Sequence, residues 1–242
     1  MLIEIQRKNK MTSTLKNGDH IWESWGRGYH FDGKNYPGVS SILQETMPKA
    51  NKKTLENWRN RIGVDVADKI SRESREKGTR WHSFLYLFVK KDYATAQGLL
   101  ATDKELVSFY RYSRTFLMQF SKVVQAVIPE KPIYSDAYGY AGTFDCLAIA
   151  NNEKILLDWK TSRKPKPEKY VRDYYLQVAA YANAVEELMG ETIDRASIVV
   201  FYDFQPPDVF KLDKEDLEFN FDLFKNRLKK FYEKYPRQIQ LK

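Results

Sequence analysis

The sequence contains a single cysteine, Cys146, and only three histidines. One thiol excludes intramolecular disulfides, a zinc site of four thiolates and a cysteine-held iron–sulfur cluster. The histidines, His20, His30 and His82, are too scattered along the chain to predict a zinc triad. Any metal bound here is therefore expected to be a hard cation held mainly by carboxylate oxygens.

Long apolar runs are absent as well, since no stretch approaches the roughly 18 residues that span a bilayer. The start, MLIEIQRKNK, has neither the apolar core of a signal peptide nor the Arg-rich, acid-free pattern of a transit peptide. Phosphate-loop, dinucleotide-binding, zincin and hydrolase-elbow motifs do not occur. We therefore expect a protein without membrane contact that is not exported.

Positive charge is in excess, with 40 Lys and Arg against 32 Asp and Glu. Residues 49–80 hold ten basic residues against five acidic ones, and residues 160–172 hold six against one. Such segments favour a polyanionic partner such as nucleic acid, although charge alone fits solvated helix faces equally well. Nearby rings, Trp58, Trp81 and Tyr170, either stack unpaired bases or fill the core.

Hydrophobic periodicity predicts three parts within one compact domain. Residues 1–36 are expected to be irregular apart from a hairpin at Asp32-Gly33, residues 37–128 to form a helical lobe, and residues 129–242 to form the core. In the lobe, Ser40 or Ser41 and Thr54 are candidate helix caps, and Gly78 is expected to break a helix.

After Pro129 and Pro132 the period changes from helix to strand. Strands are predicted at 130–135, 140–150, 153–160, 196–202 and 208–211, with helices at 173–189 and near the end of the chain. This order predicts an α/β fold in which helices flank a central mixed sheet behind an N-terminal helical lobe.

The most informative segment is residues 142–162, GTFDCLAIANNEKILLDWKTS. Asn151-Asn152 tolerates the left-handed conformation that closes a two-residue hairpin. In that register, which a four-residue loop would also give, Asp145 lies opposite Asp158 and Lys160 shares their face.

Facing carboxylates destabilise a sheet that is buried on both sides unless a cation compensates them. One interpretation is a structural ion triad of Asp145, Asp158 and Lys160. The functional interpretation is a Mg²⁺ or Mn²⁺ site formed by the two carboxylates and the backbone carbonyl of Trp159. Lys160 would then orient the attacking water or lower its pKa, and neutralise charge on a phosphate during cleavage.

These residues resemble a known family. GTFD followed by DWKTS resembles the core motif of the PD-(D/E)xK nuclease superfamily, specifically its RecB-like branch. LQVAAY, which carries Gln177 and Tyr181, is similar to the QxxxY motif of that branch, and GTRWH, ending at His82, to its histidine motif. YPGVSSILQETM, DWKTSRKPKP and IVVFYD resemble the mitochondrial genome maintenance exonuclease family in particular.

The resemblance implies a restriction-endonuclease-like core and a Mg²⁺- or Mn²⁺-dependent DNA exonuclease that prefers single strands with a free end. It would serve DNA replication, recombination, repair or degradation. The implied metal ligands are His82, Asp145, Asp158 and Trp159, and the implied catalytic set adds Lys160, Gln177 and Tyr181. With DNA passing beneath the lobe, the expected contacts are Lys52, Lys53, Arg59, Arg61, Arg80, Thr161, Ser162, Arg163, Lys164 and Lys166.

Two rival functions remain on the same residues: a structure- or sequence-specific endonuclease, and a non-catalytic DNA-binding subunit of a repair complex. The intact set of Asp145, Asp158 and Lys160 argues against the second. Because the N-terminus lacks organelle-targeting character, we expect a bacterial or bacteriophage enzyme in the cytosol, with the mitochondrial matrix as the alternative. A monomer without an iron–sulfur cluster is also expected.

Overall fold

The computed structural model describes residues 18–190 and 192–236. Its first element is a small antiparallel sheet, ordered β1-β2-β3: β1 (Asp19–Glu23), β2 (Gly26–Phe31) and β3 (Lys34–Pro37). The predicted hairpin at Asp32-Gly33 is confirmed, and both residues have positive φ, 48° and 79°. β1 was not predicted because its mostly exposed side chains give no hydrophobic pattern. The rest of the segment expected to be irregular, residues 1–17, lies outside the described residues.

A helical lobe follows the small sheet. It consists of α1 (Val39–Glu45), α2 (Lys49–Ile62), α3 (Val64–Val89), α4 (Tyr93–Thr102) and α5 (Lys104–Val123). α2 buries none of its residues, whereas α3 and α5 supply large buried rings. α2 is therefore an exposed arm, and α3 and α5 cover the core.

The helix caps expected in the lobe are wrong. α1 already begins at Val39, and the Ser41 hydroxyl inside it donates to the carbonyl of Arg27 at 2.8 Å. Thr54 lies in the middle of α2, where its hydroxyl donates to the carbonyl of Ala50. Both hydroxyls donate to backbone carbonyls and do not accept from the free amides of a helix start, a choice that sequence position alone does not reveal.

Gly78 does not break a helix. It lies inside α3, where a Cβ atom would sit 3.4 Å from the hydroxyl oxygen of Thr161 on the neighbouring strand. The break falls at Gly63, whose φ of 89° separates α2 from α3. Packing of the long helix outweighs the weak intrinsic preference of one glycine.

The core contains a five-stranded mixed sheet in the order β4-β5-β6-β7-β8. Its strands are β4 (Val124–Ser135), β5 (Tyr140–Ala150), β6 (Glu153–Thr161), β7 (Arg195–Phe201) and β8 (Asp208–Leu212). All neighbours are antiparallel except β6 and β7. β4 runs through Pro129 and Pro132, which an edge strand tolerates because one of its sides has no partner.

Helices cover both faces of this sheet. One face packs against α1, α6 (Arg172–Met189) and α7 (Lys214–Lys234), and the other against α3 and α5. The predicted α/β fold, with a mixed sheet flanked by helices and a helical lobe, is thereby confirmed. Among the described residues, no helix combines the length and apolar character that crossing a bilayer requires.

Candidate active site

The hairpin of β5 and β6 has the predicted register. Asn151 and Asn152 form its turn with φ of 51° and 64°, and Ala150 pairs with Glu153. From there the ladder continues to the pair formed by Cys146 and Leu157. Two consecutive left-handed residues are what a two-residue turn between twisted strands requires.

The predicted pairing of Asp145 with Asp158 is wrong as a ladder pair, because the ladder ends one residue earlier. In the described residues beyond Cys146 and Leu157, β5 continues its ladder with β4 and β6 its ladder with β7, and Ala141 of β5 also forms an isolated bridge with Gly38. We call this separation of the two strands the fork. Asp145 lies on one side of it, and Asp158 and Lys160 lie on the other.

A side chain takes the place of the next backbone hydrogen bond at the fork. If the register continued, the amide of Trp159 would donate to the carbonyl of Phe144. It donates instead to Oδ2 of Asp145, with 2.7 Å between the two atoms. The carboxylate thus caps one strand and lets the two strands part.

His82, on α3, bridges the two sides of the fork. Its Nδ1 lies 3.3 Å from Oδ1 of Asp145, and its Nε2 lies 3.0 Å from the backbone oxygen of Trp159. Burial alone would lower the pKa of His82, but the carboxylate of Asp145 raises it above its ordinary value. Both neighbours are acceptors, so a doubly protonated ring satisfies both contacts. His82 thereby holds two of the oxygens that were predicted to bind metal.

The carboxyl group of Asp145 is almost buried, and burial alone would raise its pKa. The charges of His82 and Lys160 and the amide of Trp159 outweigh that effect, so its pKa is below the ordinary value. Asp145 is therefore the carboxylate that stays ionised in the absence of a metal.

Asp158 has the opposite environment. Burial, with a smaller contribution from Asp145, raises its pKa to about 6 even though Lys160 is adjacent. Nζ of Lys160 lies 2.6 Å from Oδ2 of Asp158, yet this buried oxygen gains no aligned hydrogen bond. Burial would lower the pKa of Lys160, but Asp158 and Asp145 raise it, so the ammonium keeps its charge.

Tyr174, on α6, holds the lysine in place and was not among the predicted site residues. Nζ of Lys160 lies 5.1 Å from the centre of its ring, and Nζ of Lys166 donates to its hydroxyl at 2.9 Å. The signal was present, because Tyr174 precedes Gln177 by one helical turn and therefore shares its face. Lys166, predicted to contact DNA, thus also helps to orient Tyr174.

Gln177 and Tyr181 meet on α6 as the resemblance implied. Nε2 of Gln177 donates to the Tyr181 hydroxyl at 2.7 Å, and burial raises the pKa of that phenol well above its ordinary value. The ring lies so close to Gly142 that a Cβ atom there would be 2.3 Å from Cε1. The glycine of GTFD therefore makes room for Tyr181 beside the fork.

The chemical types of the candidate ligand atoms suit a hard cation. Among the described residues, no three His, Cys, Asp or Glu side chains already form a metal cluster, so the set depends on a backbone carbonyl as well. Asp145, Asp158 and the oxygen of Trp159 give the oxygen-rich environment that Mg²⁺ and Mn²⁺ prefer. Oδ2 of Asp158 is buried 2.6 Å from the ammonium of Lys160, so this oxygen already lies in a place that favours a positive charge.

The basic residues predicted on α2 are available to a ligand to different extents. Lys52, Lys53 and Arg61 are exposed. Arg59 is engaged, because Nη1 lies 2.7 Å from Oδ1 of Asp68. The helix thus presents a basic surface without folding it into the core.

Two arginines predicted to contact DNA are engaged within the fold. Arg80 pairs with Asp103 and Glu105 at the start of α5, and Arg163 pairs with Glu73 on α3 at 3.0 Å. These pairs fasten α3 to its neighbours, so both arginines already have a counter-charge within the fold. Counting charges along the sequence does not show which of them are already matched.

A small, open recess lies between α3 and the end of β6. It contains three of the predicted DNA contacts, and also Lys77, which was not predicted. The lining residues are Ser74, Lys77, Phe109, Thr161, Ser162 and Arg163. Lys77 is held 2.5 Å from Oδ2 of Asp203. Ser162 donates its hydroxyl to the carbonyl of Lys164, which is itself exposed.

Of the rings considered for base stacking, Trp81 is excluded. It is fully buried and packs against Phe84, Phe109 and Phe201. Tyr170 is 58% exposed and remains accessible.

The sequence is similar to curated nucleases. It is 30% identical over 167 residues to mitochondrial genome maintenance exonuclease 1 of Xenopus tropicalis. This alignment covers 64% of this chain and 45% of the relative. It is 34% identical over 89 residues to one chain of the ATP-dependent helicase/nuclease of Pelotomaculum thermopropionicum, covering 35% of this chain and 7% of that protein. The chain thus spans less than half the length of these relatives, and no family model matches it.

A solved structure from Eubacterium rectale, named as a candidate exonuclease, aligns with 68% of this chain and 72% of its own. The TM-score is 0.44 and the identity 12%. The sequence relatives by themselves confirm the resemblance to mitochondrial genome maintenance exonucleases and to RecB-type nucleases that the motifs indicated.

Proposed function

We propose that the chain is a metal-dependent DNA exonuclease that hydrolyses phosphodiester bonds of single-stranded DNA from a free end. One observation carries this proposal: the fork sets Asp145 against the buried pair of Asp158 and Lys160. The relatives named as mitochondrial exonucleases support it. These relatives are named for genome maintenance. We therefore extend the proposal to a role in the replication, recombination, repair or turnover of DNA.

Asp145, Asp158 and the carbonyl of Trp159 would hold the Mg²⁺ or Mn²⁺ ion, and His82 would join them once the ion displaces one of its two ring protons. When bound, such an ion lowers the pKa of a coordinated water and neutralises negative charge on the reacting phosphate. A cation would also compensate the proximity of two buried carboxylates, which is otherwise unfavourable.

Lys160 supplies the fixed positive charge of the site. Its ammonium is held beside Asp158 and over the ring of Tyr174, so it does not have to be reoriented during the reaction. From there it stabilises negative charge that develops on the phosphate and orients the attacking water. A lysine with a raised pKa acts as a cation in this role and not as a general base.

Gln177, Tyr181 and His82 keep the fork in shape. Tyr181 packs against Gly142 and is held by Gln177, which fixes the side of the fork that carries Asp145. His82 holds the carboxylate of Asp145 and the carbonyl of Trp159 from the lobe. Such preorganisation reduces the rearrangement needed when substrate binds.

The experiment compares end-labelled linear single strands with covalently closed circular single strands of the same sequence. We expect Mg²⁺ or Mn²⁺ to support shortening of the linear strand, EDTA to stop it, and the circle to stay intact. Cutting of the circle would favour the endonuclease alternative, and equal degradation in EDTA would contradict the metal dependence.

A further inference from the structure

Three polar side chains connect the small N-terminal sheet to β5. Nη2 of Arg27 donates to the hydroxyl of Tyr29 at 3.2 Å, and this hydroxyl lies 3.1 Å from Oγ1 of Thr143. Thr143 precedes Asp145 by two residues, so the two lie about 7 Å apart along the strand. The guanidinium of Arg27 is therefore only two hydrogen bonds away from the strand that carries Asp145.

The chain of hydrogen bonds ends beside the fork. Burial and then the electrostatic influence of Tyr29 raise the pKa of Tyr181, with Asp158 adding to the effect. Tyr181 itself packs against Gly142, the neighbour of Thr143. Because Thr143 lies two residues before Asp145 on β5, the Tyr29 hydroxyl contacts this strand one side-chain repeat away from the carboxylate of the fork.

The order of donors along these hydrogen bonds follows from the groups themselves. A guanidinium has no acceptor, so Arg27 donates to Tyr29, and each hydroxyl has one proton to give. Tyr29 accepts from Arg27 and can therefore direct its own proton to Thr143. The proton of the Thr143 hydroxyl is then free for a further acceptor, and each donor polarises the next.

The backbone fixes the position of Arg27. The carbonyl of Arg27 accepts from the amide of Gly38 at 3.1 Å and from the hydroxyl of Ser41 at 2.8 Å. Tyr29 is fully buried. Arg27 therefore approaches the fork from a rigid base and not from a mobile loop.

The charge of Arg27 is not matched by a carboxylate. Within residues 18–190 and 192–236, no ion pair includes it, and it is the half-buried arginine that lacks an acidic partner. The other arginines of the described chain that are not exposed are paired: Arg59, Arg80 and Arg227. A partly buried guanidinium without a counter-charge is suited to bind an anion, and its planar set of N–H donors matches the oxygens of a phosphate.

We propose that Arg27 and Thr143, joined through Tyr29, bind a phosphodiester of the DNA strand next to the one that is cleaved. Arg27 supplies the positive charge, Thr143 donates its hydroxyl, and Tyr29 is a positioning residue that orients both. This second phosphate site rests on the proposed function, because it assumes that a DNA strand lies in the fork.

The test measures equilibrium binding of a single-stranded oligonucleotide in EDTA, where turnover is absent, at several salt concentrations. Arg27→Ala should weaken binding about tenfold and reduce the slope of log K against log salt by about 0.7, the value for one lost phosphate contact on a single strand. Thr143→Val should weaken binding several-fold without changing the slope. Arg195→Ala, which removes an exposed charge paired with Glu153 far from the fork, should change neither.

Neutral methylphosphonate linkages, introduced one at a time, identify the phosphate involved. One linkage should weaken binding by the wild type and leave binding by Arg27→Ala unchanged. Tyr29→Phe should weaken binding less than Arg27→Ala and add nothing in the double variant. Melting curves show whether each variant is folded, and Arg27→Gln, which removes the charge but keeps a side-chain donor, replaces Arg27→Ala if that variant is unfolded.

An unchanged salt slope together with an unchanged methylphosphonate profile in folded Arg27→Ala, or in folded Arg27→Gln, would overturn this proposal. The proposed function would survive that result, provided that the wild type still binds and degrades DNA. If the wild type binds no DNA at all, the proposed function fails first.

Discussion

The carboxylate of Asp145 accepts a hydrogen bond from the backbone amide of Trp159, with 2.7 Å between Oδ2 and the nitrogen. This contact replaces a bond of the β5–β6 ladder and marks the point where the two strands separate. The carbonyl of the same residue, Trp159, lies 3.0 Å from Nε2 of His82. One side chain thus opens the sheet and orients a candidate metal ligand.

Metal binding should stabilise the fold through Asp158. At a free ion concentration roughly 100 times Kd, a ligand specific for the folded state adds about 2.7 kcal/mol. We expect Mn²⁺ or Mg²⁺ to raise the melting temperature by several degrees, and Asp158→Asn to abolish this increase. Asp222→Asn, an exposed change on α7, serves as the control and should keep it. A full shift in Asp158→Asn would place the ion elsewhere.

Adding one methyl group at Gly142 should damage the site. A Cβ atom there meets the ring of Tyr181 at 2.3 Å, so Gly142→Ala must displace the ring or the strand. We expect a loss of about 1–3 kcal/mol in unfolding free energy and a large loss of nuclease activity. Gly98→Ala on α4 meets nothing within 4 Å and should be neutral or slightly stabilising. Equal behaviour of the two variants would show that Tyr181 is not held at Gly142.

The exposed charges of α2 should contribute to DNA affinity without affecting stability. Changing Lys52, Lys53 and Arg61 to Gln removes cations that α2 presents to solvent, so fewer counterions are released on binding. We expect weaker binding and a flatter dependence on salt, with an unchanged melting temperature. Lys229→Gln combined with Lys230→Gln on exposed positions of α7 is the control. If the slope is unchanged, α2 faces away from the DNA.

Cys146 should be chemically inert in the folded protein. It is fully buried, and burial, followed by the charge of Asp145, raises the pKa of its thiol. Because the thiolate is the reactive form, we expect no labelling by a thiol reagent at about pH 8. The same protein in guanidinium chloride should be labelled fully. Rapid labelling of the native state would mean that the sheet opens beside the site.

The sequence predicts the hairpin well because turn chemistry determines it. Two asparagines that accept left-handed conformations set the register from Ala150 as far as Cys146. The fork could not be predicted, because it results from a bond between a side chain and a backbone amide. Alternation along a strand shows which side chains share a face, but not whether the neighbouring strand is still paired.

The sequence predicts how many basic residues the two segments contain, but not which of them are already paired with a carboxylate. Arg80 and Arg163 belong to the two basic segments, but their carboxylate partners are remote in sequence. Arg27 shows the reverse case: it lies outside both segments, yet packing of the small sheet brings it near β5. Partners across the fold decide which cations are free to bind phosphate.

The most direct measurement compares wild type, Asp158→Asn and Lys160→Ala on 5′- and 3′-end-labelled single-stranded DNA with Mg²⁺, together with binding of the same strand in EDTA. The account predicts that both variants bind DNA nearly as well as the wild type but cleave it slower by a factor on the order of 100 to 1,000 or more. Cleavage at the wild-type rate by either folded variant would contradict the assignment of the fork as the active site.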